Sequence, residues 1–433
     1  MTPPTFYEAF LFWLKLGFIS FGGPTGQIAI MHAELVEKKK WISEERFLHA
    51  LNYCMILPGP EAQQLAIYVG WLLHRTWGGI VAGSLFVIPS FFILTGLSYI
   101  YVSYGSVPVI AGLFYGLKAA VVAIVASAVV RIGKKALKNQ VMLIIAAAAF
   151  IGIYFLKIPF PIIIISAGLI GLIGGKLWPK IFSVIKGETS GNEKTVISDD
   201  QPPSEHHLPS LFGTFRVVAV CLFLWISPIV LLAFFLGTTS ALFQQGLFFS
   251  KAAMVTFGGA YSVLPYITQA AVEKYHWLLP GQMIDGLGLG ETTPGPLIMV
   301  VTFVGYVGAW GKTAGLSAPF SAFLGGLTAT YFTFLPCFLW IFAGAPFIEK
   351  TRGNIRLTSA LSAITAAVVG VVLNLTVYFG MQVIFPHSGS IDWVALAIAT
   401  VSFIGLLKFK WNILYVILGS ASIGLFDKLI FFS

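Results

Sequence analysis

The sequence predicts an all-α polytopic membrane protein made of two inverted homologous repeats with broken or re-entrant half-helices. Three observations lead there: a composition too apolar for a water-facing surface, Gly and Pro interruptions inside apolar stretches, and the return of those interruptions at one offset. Of 433 residues, 57% are apolar and 10% charged, where soluble domains carry about 25% charged residues. With 45 Gly, 22 Pro and 38 Phe, the composition suits apolar helices packed closely in lipid. At about 20 residues per crossing, the length allows roughly ten to twelve spans or their equivalent in half-length pieces. The opening Met-Thr-Pro-Pro has no basic n-region or cleavage site, so no removable signal peptide is expected.

The duplication rests on a run of matches. Phe21-Gly22-Gly23 returns as Phe257-Gly258-Gly259, an offset of 236 residues. At that offset Lys15 meets Lys251, Val36-Glu37 meets Val272-Glu273, Trp41 meets Trp277, and Pro58-Gly59-Pro60 meets Pro294-Gly295-Pro296. Further on, Pro89 meets Pro336 and the run from Lys118 meets the run from Thr365, both at 247, which implies an eleven-residue insertion near Gly315 to Gly326. Residues 1–186 and 211–433 are therefore expected to be membrane repeats. The polar 187–210 stretch, rich in Ser, Asp, Glu and Pro, is expected to be a cytoplasmic disordered linker.

Taken in order, Phe6 to Met31 is interrupted at Ser20 to Pro24, and Phe47 to Leu73 at Leu57 to Pro60. Each piece has about a dozen residues, or about 18 Å of a hydrocarbon core about 30 Å thick. Between them, His32 to His49 reads as an interfacial connector. Longer candidates follow at Gly78 to Tyr101, Pro108 to Val130, Val141 to Leu156 and Pro159 to Trp178. The second half adds a span at Phe212 to Leu236, then repeats the plan: broken segments at Phe248 to Val272 and Met283 to Trp310, and longer ones from Ala318 to Phe347, Leu357 to Ile384, Trp393 to Leu407 and Trp411 to Ile430. The additional span makes the second half enter from the opposite side. With that topology, nineteen of the 26 Lys and Arg residues fall on the inner face, and only Lys157, Lys274, Lys312 and Lys428 on the outer, in the sense of the positive-inside rule. The net charge of +9 is thus topological and calls for no nucleic-acid partner.

The remaining cations, Lys15, Lys118 and Lys251, lie within membrane segments, where a charge is costly and marks a functional site by default. Lys15 and Lys251 stand at equivalent positions six residues before a Phe-Gly-Gly break; each either serves an anion or snorkels to the interface. Lys118 has no basic twin and is expected to balance a carboxylate. The breaks carry more weight. Pro lacks an N–H and Gly takes unusual dihedrals, so Gly22-Gly23-Pro24, Pro58-Gly59-Pro60 and their counterparts end one helix and leave the amides of the next unpaired. Such helix starts carry about half a positive charge and suit an anion at the bilayer midplane.

Neutral donors beside the breaks complete a candidate set for a tetrahedral oxyanion: Ser20, Thr25 and Gln27, Gln63 and Gln64, Thr256 and Ser262, Thr292 and Thr293. Glu61 and Glu291 adjoin the two Pro-Gly-Pro breaks and are candidates for proton coupling, with helix capping the alternative for Glu61. Cys54, Cys221 and Cys337 lie in apolar runs without paired spacing and read as packed thiols. No metal-ligand, nucleophile-elbow or Walker A motif occurs, so neither an enzyme nor a cofactor is expected.

At these residues the sequence resembles the chromate ion transporter family in its long, two-domain form. Lys15-x5-Phe-Gly-Gly-Pro24, Trp41-x16-Pro-Gly-Pro60, Phe257-Gly-Gly-Ala-Tyr261, Trp277 and Thr293-Pro-Gly-Pro296 carry the resemblance, which covers nearly the whole membrane portion. It departs at Ala260, where the first half has Pro24, so the two ends are expected to differ in shape. The resemblance implies export of chromate as a resistance mechanism, with sulfate as a competing analogue, in the inner membrane, by a protein of inverted homologous halves. The resulting expectation is a chromate efflux carrier of alternating access, with sulfate or another oxyanion as rival substrate and an anion channel as rival mechanism. A homodimer is allowed.

Overall fold

The computed structural model describes residues 3–21, 23–182, 210–313, 315–350, 356–386 and 390–431. All but Ser210 of the expected 187–210 linker lies outside these residues, and so does Gly22.

The first half runs α1 (Phe6–Ile19), α2 (Gly23–His32), a π-helical turn (Ala33–Lys38), α3 (Glu44–Ile56), α4 (Glu61–Leu85), α5 (Ile88–Tyr104), α6 (Pro108–Ala136), α7 (Gln140–Tyr154), α8 (Phe160–Leu177) and the short α9 (Pro179–Phe182). After α10 (Leu211–Leu236) come α11 (Ala241–Met254), α12 (Ala260–Thr268), a second π-helical turn (Gln269–Lys274) and α13 (Pro280–Thr292). A 3-10 turn (Leu297–Met299) then leads into α14 (Val300–Ala309), α15 (Ala318–Lys350), α16 (Arg356–Ile384), α17 (Trp393–Leu407) and α18 (Ile413–Phe431). All four interruptions fall where Gly and Pro put them. Among the described residues, six helical stretches are long and apolar enough to cross a membrane: Glu61–Tyr104, Pro108–Ala136, Phe160–Leu177, Leu211–Leu236, Ala318–Phe347 and Ser359–Ile384. The protein is a multi-pass, all-α membrane protein.

Element bounds recur between the halves. The π-helical turns begin at Ala33 and Gln269, and α3 and α13 have 13 residues each, at the offset of 236. Later helices recur at larger offsets: α6 and α16 have 29 residues each, and α7 and α17 have 15. Left-handed backbone recurs as well. Gly23 (φ 67°) matches Gly259 (92°), Lys40 (50°) matches His276 (50°), Arg75 (55°) matches Gly311 (65°), and Lys157 (54°) matches Lys410 (54°). Lys40, His276, Arg75, Lys157 and Lys410 hold a conformation uncommon outside glycine, so coincident spacing marks a shared chain path. The helix-starting caps agree too, Asn139 for α7 and Asp392 for α17.

The extra residues of the second half enter between α14 and α15. In the first half the chain passes the matching point with only a kink, at His74 (φ −137°) and Arg75. In the second half the described residues 310–313 and 315–317 lie outside any helix there. α10, which has no first-half counterpart, buries only Cys221 and packs against α11 and α15. Cys54 and Cys337 are also buried thiols.

The halves interlock. α6 lies along α17 and α18, while α16 lies along α7 and α8. Small residues permit this: a Cβ on Gly116 would stand 1.8 Å from the Ser420 carbonyl oxygen, and one on Gly370 2.0 Å from that of Ala146. Tyr115 of α6 donates to the Asp392 carboxylate at 2.6 Å, tying it to the start of α17. The apolar core is consequently shared: Phe91, Val121 and Phe160 of the first half pack with Phe249, Phe303 and Phe379 of the second.

Candidate substrate site

Each Phe-Gly-Gly break begins with a hydroxyl turned back on its own helix. Ser20 Oγ donates to the Leu16 carbonyl at 2.6 Å, and Thr256 Oγ1 to the Ala252 carbonyl at 2.7 Å. This ends α1 and α11 and leaves the main-chain carbonyls of Ser20 and Thr256 free of those helices. Both are taken up across the protein. The Gly59 N–H donates to the Thr256 carbonyl at 2.7 Å, and the Gly295 N–H to the Ser20 carbonyl at 2.7 Å. Each Pro-Gly-Pro break is thereby hydrogen-bonded to the Phe-Gly-Gly break of the other half, and the four interruptions form one centre.

Glycine is required at both donors. Gly59 has φ 126° and Gly295 φ 101°, a region other residues seldom enter. Their surroundings are also full. A Cβ on Gly59 would stand 2.8 Å from Gln64 Nε2 and 2.9 Å from Cys337 Sγ; one on Gly295 would stand 2.7 Å from Ser90 Cβ.

Side chains of the first half trim this frame. Gln27 Nε2 donates to the Gly295 carbonyl and approaches that of Ser20 at 3.5 Å; Gln64 Nε2 donates to the Pro58 carbonyl at 2.8 Å. Both glutamines are buried, and the Oε1 atom of each has no hydrogen-bond partner among the described residues. Gln63 donates to the Gly83 carbonyl at 3.4 Å. The matching second-half positions hold Val263, Met299 and Val300, so the polar trim is one-sided. Pro24 and Glu61 meet at Gly259, where a Cβ would lie 3.7 Å from Pro24 Cγ and 3.9 Å from Glu61 Oε1.

The other nominated residues are placed as follows. Gly59, Pro60, Pro294, Gly295 and Pro296 are buried, as are Ser20, Thr256, Glu61, Glu291 and Thr293, whereas Gly23, Pro24, Pro58 and Gly258 are partly accessible. Ser262, Thr292 and Thr293 donate to the carbonyls of Gly259, Leu289 and Gly290. Like Ser20 and Thr256, they offer lone pairs rather than a free donor in this arrangement. The donors left for a guest are main-chain amides at the starts of α2, α4 and α12, which have no carbonyl one turn back. Lys15 and Lys251 are both exposed, on α1 and α11 just before the breaks. Glu291 accepts from the Tyr261 hydroxyl at 2.6 Å, and Arg131 lies close enough to act on both.

Tyr261 and Arg131 were not singled out as site residues by the sequence. Arg131 counted among inner-face cations, and only packing of α6 against the second half brings it to Glu291. Lys118 does face a carboxylate, Asp285 on α13, at 3.3 Å.

Comparison with known proteins bears directly on this centre. The chromate transporter family model matches residues 7–172 and 243–425, one region in each half. The chain belongs to the chromate transporter family. It is 30% identical to a chromate transport protein of Cupriavidus metallidurans, covering 98% of this chain and 94% of that one. A chromate transport protein of Pseudomonas aeruginosa is 32% identical over 98% and 92%. An uncharacterized transporter of Methanocaldococcus jannaschii is 29% identical over 97% and 94%. These relatives are named as transport proteins and not as enzymes. No solved structure matches the chain. Both regions matched by the family model contain a Phe-Gly-Gly and a Pro-Gly-Pro break, so this transporter carries the whole four-break centre within family sequence.

Proposed function

We propose that this transporter exports chromate across the cytoplasmic membrane by alternating access, binding the dianion at the centre where the four breaks meet. The observation that carries the proposal is the reciprocal pair of main-chain hydrogen bonds, Gly59 to Thr256 and Gly295 to Ser20. Two exchanged bonds of matching kind are what a two-fold relation between the halves produces. With α10 as an added crossing, that relation is an inversion, the arrangement in which secondary transporters hold a substrate between half-helix ends. Amide-rich helix starts favour an anion there.

The direction is energetically open without ATP. With an interior-negative potential of about 100 mV, expelling a dianion releases about 4.6 kcal/mol, from roughly 2.3 per charge. That sustains a gradient above about a thousandfold, at 1.4 kcal/mol per tenfold.

The test is flux of labelled chromate into inverted vesicles or proteoliposomes at set voltage and pH, with and without excess sulfate. Accumulation that follows the potential, with counterflow, is expected. Sulfate flux without chromate flux would replace the substrate, and current far above carrier rates without counterflow would make the protein a channel.

A further inference from the structure

A cavity of about 500 Å³ opens between α5, α6, α13 and the end of α14, on the face that bears Lys312. Its polar lining includes Lys118, Gln282, Asp285 and Lys312, with Trp277 and Trp310 on its walls. Asp285 stands six residues before Glu291 on α13, about 9 Å along the helix, and is buried. Its two oxygens differ. Oδ2 accepts from the Tyr101 hydroxyl at 2.8 Å and meets the Lys118 ammonium at 3.3 Å. Oδ1, equally enclosed, has no hydrogen-bond partner among the described residues. The Lys118 side chain is 32% exposed and that of Asp285 3%, so the ammonium reaches into the cavity while the acid, at its wall, is almost wholly covered.

This pair is absent from the other half. The residues matching Asp285 and Lys118 are His49 and Thr365. The pair therefore stands on one side only and is no part of a structural joint common to both halves. A buried carboxylate with an orphan oxygen is costly as an anion, and a proton on that oxygen removes the cost. Once neutral, the acid no longer holds Lys118, and a cation facing a cavity with Lys312 and Gln282 is left to other anions.

We propose that this cavity binds a tetrahedral oxyanion together with a proton: the proton joins Asp285 at Oδ1, and the oxyanion takes the place of the carboxylate at the Lys118 ammonium. The proposal rests on the oxyanion reading of the transporter, but concerns a second site beside the four-break centre. The ionisable groups around Asp285 fit it. α6 supplies Lys118, α5 supplies Tyr101, and the connection after α14 supplies Lys312. On α14, Tyr306 packs on the Trp310 ring at 5.9 Å; on α16, Tyr378 faces Glu273. On α18, Lys428 sits over the Tyr115 ring at 4.8 Å, with Asp427 beside the same tyrosine. Carboxylate and oxyanion therefore compete for one lysine, and anion affinity rises as pH falls.

The test places a reporter at the rim. Ser106 is exposed and lines the cavity, and the native cysteines are buried. Ser106→Cys in the full chain, purified into nanodiscs, is labelled with an anionic sulfonatoethyl methanethiosulfonate. Protection by sulfate is measured at pH 5.5 and pH 8, each rate taken relative to the sulfate-free rate at the same pH. The half-protecting sulfate concentration is expected to be about tenfold lower at pH 5.5, the size of effect a neighbouring like charge exerts. Adding Asp285→Asn should give the tighter value at both pH values, and adding Lys118→Gln should abolish protection at both. Equal protection at the two pH values, protection that survives Lys118→Gln, or no tightening in Asp285→Asn would each overturn the proposal. Labelling of the buried cysteines would reveal a misfolded variant, and the pH comparison on the unsubstituted acid then still decides. Chromate flux, read in parallel, separates the two proposals: loss of cavity protection with normal flux sinks only this one, and normal protection without flux sinks only the export reading.

Discussion

Replacing Gly59 or Gly295 by Ala tests whether the crossed main-chain bonds hold the centre together. At φ 126° and 101° a side chain costs on the order of 1–3 kcal/mol in backbone strain. The added Cβ of Gly59→Ala also overlaps Gln64 and Cys337 at 2.8 and 2.9 Å, and that of Gly295→Ala overlaps Ser90 at 2.7 Å; such overpacking costs roughly 1–3 kcal/mol more. A combined penalty of about 3 kcal/mol shifts the equilibrium between joined and separated breaks by roughly a hundredfold, at 1.4 kcal/mol per tenfold. Chromate flux into proteoliposomes should fall accordingly in both variants, while both still insert. Gly96→Ala is the matched control, since a Cβ there meets nothing within 4 Å; it should transport as the parent does. Parent-level flux in both Gly59→Ala and Gly295→Ala would show that the crossed bonds do not shape the site.

Lys15→Ala and Lys251→Ala should each weaken chromate binding about tenfold without affecting insertion; unchanged affinity in both would assign these exposed lysines to snorkelling. Gln27→Val, which copies the second-half residue Val263, removes the donor to the Gly295 carbonyl and should cost about 1 kcal/mol, measured as a roughly fivefold loss of flux. Glu61→Gln and Glu291→Gln should flatten the pH dependence of flux if these acids carry the coupled proton, and a pH profile unchanged in both variants would assign them to capping and to the Tyr261 bond.

The breaks were legible because Gly and Pro act locally: Pro58-Gly59-Pro60 cannot continue a helix whatever surrounds it. The offset of 236 needed only that the same motifs return along one chain. What joins the breaks was not legible, because the bonds from Gly59 and Gly295 run between main-chain atoms more than 190 residues apart and leave no residue type to read. The hydroxyls of Ser20 and Thr256 stood out as donors to a substrate, but turning back on a carbonyl four residues earlier is a choice made by rotamer and packing. Asp285 passed unnoticed for a similar reason. On α13 it is one acid in a glycine-rich run, and only the crossing of α6 sets Lys118 opposite it. The insertion within the second half shifted the apparent alignment to 247, yet its place between α14 and α15 is marked in the first half only by a kink at His74 and Arg75, which composition does not show.

The crossed bonds use atoms that every residue possesses, so the joint survives changes of side chain as long as 59 and 295 remain glycine. That frees the rest of the lining to drift apart. Where the first half presents Glu61, Gln63 and Gln64, the second presents Leu297, Met299 and Val300, and the crossed main-chain bonds beside them are of one kind. A matched pair of main-chain bonds thus underlies an unmatched set of side chains: the backbones of the two halves agree here where their linings do not.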